Sequence, residues 1–336
     1  MNLLRLLPLL LACAWAPPLY AQESQPAAGA EPGSAEPGSA VEEREVRAEG
    51  AAEDEPKGPP QELQLSLTGW QRFEARSRLD DGPARLSVYR TGFDVRASRF
   101  FGFFGRGSVS AGYEWSRYDL QDATNLDPPR PRTEKDPWDR LHVVRLRLEG
   151  QLFLSRSFFL STFVSGRLGF EEGTDLADAF TAVAFLLAGW RISPDFQLLF
   201  GAGTITQLED SPNVFPALGV RWKVTDWLRL DLLGPLLRAT FTPTEGLELF
   251  LSVAWQNRQY RFAKRRSLFA EHILQDGQLR VQAAARWFVS DFLALRAELG
   301  VIAYRELELL DPRGDDVYRL QGEPALLGGL GLELRF

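Results

Sequence analysis

The sequence predicts an all-β protein: a transmembrane, up-and-down antiparallel β-barrel of about fourteen strands, preceded by a disordered N-terminal segment. Three observations predict it. Polar and apolar residues alternate with period two from Leu63 to the C-terminus. Tight turns alternate with long polar connections, the layout of an outer-membrane barrel. One hairpin pattern also recurs, an aromatic, a turn and then an alternating strand. It appears in "GWRISPDFQLLFGAG" from Gly189, "VRWKVTDWLRLDLLG" from Val220 and "ARWFVSDFLALRAELG" from Ala285, with a looser copy, "GQLFLSRSFFLSTFVSG", from Gly150.

The first 21 residues, "MNLLRLLPLLLACAWAPPLYA", place one charge, Arg5, before a leucine-rich core and small residues. They read as a secretory signal peptide, 1–21, cleaved after Ala21. "LLAC" ending at Cys13 resembles a lipoprotein box, so lipidation at Cys13 is the alternative. Cys13 is the only cysteine of the chain. Cleavage after Ala21 leaves none, which excludes a disulfide framework or a thiolate metal site in the exported protein.

Residues 22–61 form an acidic Pro/Ala/Gly-rich linker that contains the repeat "EPGSAEPGSA" and no aromatic residue. Such a composition cannot bury enough apolar area to offset chain entropy, so the linker is expected to be disordered, on the periplasmic side. The net charge of −7 belongs to it, and the body from Leu63 onward is formally neutral.

The barrel spans 62–336. Alternation places strands near 62–78, 85–97, 103–118, 140–154, 158–170, 180–192, 196–208, 214–224, 227–233, 236–242, 247–261, 278–289, 292–305 and 324–336. In "RLHVVRLRLEGQLFL", Val144, Leu146 and Leu148 share one face while Arg145, Arg147 and Glu149 share the other. The weakest pair is "WLRLDLLGPLLRATFTPT", whose halves fall short of the ~9–11 residues of a spanning strand. Parity still favours a hairpin there, because one long strand would leave an odd total. Twelve strands result if the first pair lies outside the barrel. Stretches 119–139, 263–277 and 306–323 read as long loops. Trp190, Trp222, Trp227, Trp287 and Phe292 beside the tight turns read as an interfacial aromatic girdle.

The chain ends "GGLGLELRF", with Leu332, Leu334 and Phe336 on one face and the aromatic last. This resembles the signal read by the bacterial barrel-assembly machinery. With the hairpin pattern, it makes residues 62–336 similar to an uncharacterised, domain-of-unknown-function family of bacterial outer-membrane barrels. The resemblance implies outer-membrane localisation, with outer-membrane lipid and the assembly machinery as partners. It implies no substrate and no catalytic residues.

Taking phase from the leucines, the lumen face receives Arg145, Arg147, Glu149, Arg167, Arg221, Arg258, Arg280, Arg286, Arg296 and Glu298 among others, Arg76 included, with roughly two bases per acid. Inward Arg–Glu ladders brace narrow barrels, and Arg/Lys rings also select anions in pores. The two histidines, His142 and His272, belong to no spaced metal set, and no Ser-His-Asn or Asp-His arrangement can be assembled from the spacing. The expected function is therefore a porin-like channel for small solutes, with a preference for anions. A non-transporting structural or surface-binding barrel is the alternative, and a barrel enzyme ranks below both. No enzyme activity, cofactor, metal or nucleic-acid partner is expected.

Overall fold

A computed structural model of the chain describes residues 63–79, 83–101, 104–122, 138, 140–208, 212–234, 236–264 and 269–336. The expectations for residues 1–21, Cys13 and 22–61 lie outside the described residues. The strands are β1 Gln64–Arg78, β2 Arg85–Phe100, β3 Gly105–Gln121, β4 Leu141–Phe153, β5 Phe158–Glu171, β6 Phe180–Arg191, β7 Phe196–Ile205, β8 Asn213–Thr225, β9 Leu228–Leu233, β10 Leu236–Thr244, β11 Leu247–Arg261, β12 Ile273–Ser290, β13 Leu293–Leu310, β14 Asp316–Gly322 and β15 Ala325–Arg335. Each pairs antiparallel with its sequence neighbour from β1 to β13, and β15 closes the wall onto both β1 and β13.

The result is a closed barrel of fourteen staves, because β14 and β15 are two pieces of one. β14 pairs with the far end of β13 and β15 with the near end. The break falls at Glu323–Pro324, where proline has no N–H to give a ladder. The Glu323 N–H donates instead to the Arg78 carbonyl at 2.9 Å. The first pair, β1 and β2, is part of the wall, which rules out twelve strands. The low wall predicted around Gly234 is also present: β9 has six residues and β10 nine, and Gly234 turns between them with φ 56°.

All three stretches read as loops are partly strand: β3 runs on to Gln121 in the first of them. β12 begins at Ile273 rather than 278, β13 runs on to Leu310, and β14 occupies the last part of 306–323. Acidic residues such as Glu306 and Glu308 suggest a loop to a reader who expects lipid outside. They fit a strand wherever the wall has risen out of the lipid.

The short turns gather at one end of the barrel, here the turn end. The connections Phe101–Phe104, Leu154–Ser157, Ile192–Asp195, Asp226–Trp227, Glu245–Gly246 and Asp291–Phe292 lie there with both ends of the closing pair. The Leu65 N–H donates to the Phe336 carbonyl at 3.0 Å, and the Leu65 carbonyl accepts from the Phe336 N–H at 2.8 Å. Trp190, Trp222, Trp227, Trp287 and Phe292 are all exposed beside these turns, and Phe158 stacks on Trp190 with ring centroids 6.0 Å apart.

The radial pattern reverses along the barrel axis. In the turn-end half, leucines point out: Val144, Leu146 and Leu148 of β4 are exposed, as are Phe93 and Val95 of β2. Nearer the other end, the same strands turn apolar residues inward: Leu141 and Val143, and Leu86 and Val88, are buried. Water would not tolerate so large an exposed apolar band, so it marks the lipid-facing belt. The inward apolar residues form a second core resembling that of a soluble barrel, with Tyr118, Leu120, Trp138, Tyr260, Phe262, Leu307 and Leu309.

The barrel is also pinched. β5 and β11, across the barrel from each other, touch in parallel at Phe170 and Arg261. Gly169 makes this contact possible: a β-carbon there would lie 2.0 Å from the Gln259 carbonyl oxygen. Side chains lock it, with Thr174 donating to the Arg261 carbonyl at 3.1 Å and the Glu171 carboxylate accepting from the Ala263 N–H at 2.9 Å.

Candidate lumen site

Just inside the level where the radial pattern reverses, the lumen is crossed by a buried ionic network. Glu74 (β1) accepts from Arg90 (β2), Arg280 (β12) and Arg305 (β13). Asp276 (β12) accepts from Arg90 at 2.8 Å, Tyr118 at 2.7 Å and Arg305 at 3.1 Å. Glu114 (β3) pairs with Arg258 (β11) at 3.0 Å and Arg90 at 3.7 Å. Gln278 bridges Asp276 and Arg280 at 2.8 and 2.6 Å. Glu74, Arg90 and Asp276 have no exposed surface. Three carboxylates among four guanidiniums satisfy most of the buried charge, which is the condition for such a cluster to be tolerated. The orphaned atoms, Arg90 Nε, Arg280 Nη1 and Arg305 Nη1, all belong to arginines already paired elsewhere.

On the turn-end side of this network the lumen holds a cavity of about 270 Å³. Of the residues predicted to face the lumen, Arg145, Arg147, Glu149, Arg167, Arg258, Arg286, Arg296 and Glu298 line it. Arg280 belongs to the buried network, and Arg221 pairs with Asp231 at 2.9 Å on the wall between β8 and β9. Around the cavity, Arg96 pairs with Glu149 at 2.7 Å and Arg145 with Asp94 at 3.3 Å. Arg72 pairs with Glu298, and Arg286 with Glu333. Arg76 is a correction to the phase: the register shifts between Glu74 and Ser77, and Arg76 is turned to the exposed side. Strict alternation cannot anticipate a bulge.

Sequence reasoning missed Asp276, Arg305 and Gln278. Asp276 was assigned to a loop, and Arg305 was the final residue of a strand. The available signal was the alternation Asp276, Gln278, Arg280 across Gly277, masked because residues on both faces of that stretch are buried. The apolar lining on the β5–β8 side was also unread. Phe163, Val183, Phe185, Leu187 and Ala217 cluster there, with Ile205 and Phe215 packed against them.

His142 accepts or donates at 2.7 Å to the Tyr113 hydroxyl and stacks on Phe170, while His272 lies 2.9 Å from the Ala270 carbonyl. Among the described residues, no three His, Cys, Asp or Glu side chains come together as a metal site.

No family model matches the chain, and no curated protein matches it. It is similar to solved barrels. One is an outer membrane channel from Pseudomonas putida F1, at 10% identity and a TM-score of 0.46, covering 85% of this chain and 100% of that one. The P. putida toluene transporter TodX matches at 7% identity and TM-score 0.42, covering 84% and 91%. The translocator domain of the autotransporter NalP from Neisseria meningitidis matches at 10% identity and TM-score 0.37, covering 84% and 90%.

Proposed function

We propose that the protein is an outer-membrane channel that passes small solutes and favours anions, with its turn end and N-terminal segment in the periplasm. The observation that carries this reading is the lumen cavity, walled by a closed barrel and lined by arginines of eight strands. Low-dielectric walls focus such a field and concentrate anions. Pairing with Glu149, Asp94, Glu298 and Glu333 reduces the field, so the preference is a bias and not an exclusion. Phe336, with Leu332 and Leu334, serves as the contact for the assembly machinery.

The test is a planar-bilayer recording in a salt gradient. Chloride is expected to outrun potassium, with a bias that shrinks as the screening length falls from ~10 Å at 0.1 M to ~3 Å at 1 M salt. Cation preference would refute the anion reading.

A second reading, a non-transporting barrel, is favoured by the buried network and apolar core that fill the lumen beyond the cavity. Absence of conductance in both the full chain and a chain starting near Gln61 would select it.

A further inference from the structure

Three pairs of arginines face each other directly across adjacent strands on the inner wall: Arg72 with Arg90, Arg286 with Arg296, and Arg145 with Arg167. Like charges placed directly opposite destabilise a sheet, so each pair needs compensation. The first pair has it from Glu298 and Glu74, the second from Glu333 and, at 3.6 Å, Glu298. The third is different. Arg145 reaches Asp94 at 3.3 Å, a carboxylate that also accepts from the Trp70 indole at 3.2 Å. Arg167 has no carboxylate within ion-pair distance among the described residues. It donates from Nη1 to the Asn257 carbonyl at 3.1 Å and lies 6.0 Å from the Tyr260 ring. Its Nε and Nη2 are buried with no protein acceptor, as is Arg145 Nε. Both residues line the cavity.

The register places an apolar surface beside this pair. One row across the sheet reads Arg145, Arg167, Thr181 over β4, β5 and β6. The adjacent row reads Arg147, Ser165, Val183, Ile205 over β4 to β7. Thr181, Val183 and Ile205 also line the cavity, and Val183 is the edge of the Phe163–Phe185 cluster. With strands ~4.8 Å apart and the two rows ~6.6 Å apart along the strand, the Val183 backbone lies about 8 Å from that of Arg167.

We propose that this corner of the cavity is a subsite for an amphipathic organic carboxylate. The carboxylate is taken by Arg145 and Arg167, and a ring or short hydrocarbon chain lies on Val183 and Ile205. This deepens the channel reading by naming a solute class and rests on that reading for how the solute arrives. An incoming carboxylate supplies the anion that Arg167 lacks, and guanidinium matches it with paired hydrogen bonds. The apolar wall distinguishes this ligand from chloride or acetate, which gain nothing there.

The experiment is calorimetric titration of the barrel in lipid nanodiscs, with empty-disc blanks. The probes are 3-phenylpropanoate, acetate and the uncharged 3-phenylpropanol. Expected is 3-phenylpropanoate binding at least tenfold tighter than either control. Arg145→Gln and Arg167→Gln should each weaken it about tenfold or more, as for a lost charge-assisted hydrogen bond. Arg167→Lys, which keeps the charge, should fall between. Val183→Thr should weaken 3-phenylpropanoate several-fold and leave acetate unchanged. Each variant is first checked for folding by its heat-dependent gel mobility. Should one arginine variant fail to insert, the other and Val183→Thr carry the test. Equal binding of acetate and 3-phenylpropanoate, unchanged binding in the folded variants, or no binding by the wild-type chain would overturn the subsite. Conductance measured on the same preparations separates the two readings. Conductance without binding defeats the subsite alone, and binding without conductance defeats the channel alone.

Discussion

Replacing Glu74 by glutamine removes the centre of the buried network. The carboxylate of Glu74 holds three guanidiniums, those of Arg90, Arg280 and Arg305. Glutamine keeps the shape and one acceptor oxygen, loses the charge, and turns an N–H₂ toward donors. The formal charge of Glu74, Glu114 and Asp276 with Arg90, Arg258, Arg280 and Arg305 rises from +1 to +2. Breaking a buried ion pair costs about 3–5 kcal/mol. Asp276 still holds Arg90 at 2.8 Å and Arg305 at 3.1 Å, so the expected loss lies near the lower end of that range. Arg280 keeps only its bond to Gln278 from this network. The assay is urea unfolding in lipid vesicles, followed by tryptophan fluorescence and by gel mobility without heating. Asp94→Asn is the control, because the Asp94 side chain is 37% exposed and its pair with Arg145 is worth under about 1 kcal/mol. A Glu74→Gln loss no greater than that of Asp94→Asn would refute the claim that this network braces the barrel.

Gly169→Val should force β5 from β11, because no β-carbon fits 2.0 Å from the Gln259 carbonyl oxygen; a lower unfolding midpoint in the urea assay is expected, with single-channel current larger than wild type. Deleting Phe336 removes both backbone bonds to Leu65 and the exposed terminal ring, so the amount of heat-modifiable barrel in the outer membrane should fall, as read by gel shift of membrane fractions. At the turn between β8 and β9, the hydrogen bond from Lys223 holds the Asp226 carboxyl below the usual range. Any stability it gives is therefore present above about pH 4 and lost as pH falls through the lowered value. Both side chains are solvated, so Asp226→Asn should leave the pH dependence of the unfolding midpoint unchanged within error.

Much of the wall was legible because lipid enforces one rule over long runs. Leu146 out and Arg147 in follow from the belt, and hairpins such as Ser193–Asp195 follow from turn residues between alternating strands. The lumen was less legible. Its side chains answer to partners on strands far apart in sequence: Glu74 and Arg305 are separated by 231 residues. The reversal of the radial pattern also slips the apolar phase by one residue, as between Val143 and Val144, where two adjacent valines face opposite surroundings. Asp276 and the strand around it were lost for that reason, and Arg76 because a bulge flips the phase. The pinch was not legible, since Gly169 reads like other strand glycines until β11 is seen against it.

That contact has a geometric consequence. Fourteen staves set the circumference at the turn end, but β5 and β11 meet at their far ends, beyond the low wall of β9 and β10, which pairs with β11 no further than Ala254. Past the low wall the ring is made by β5, β11 and the staves from β12 round to β4 alone. Strand number therefore overstates the bore at that end, and size limits for any solute follow from the narrower ring. Two barrels with equal strand counts can sieve very differently when some staves of one stop short.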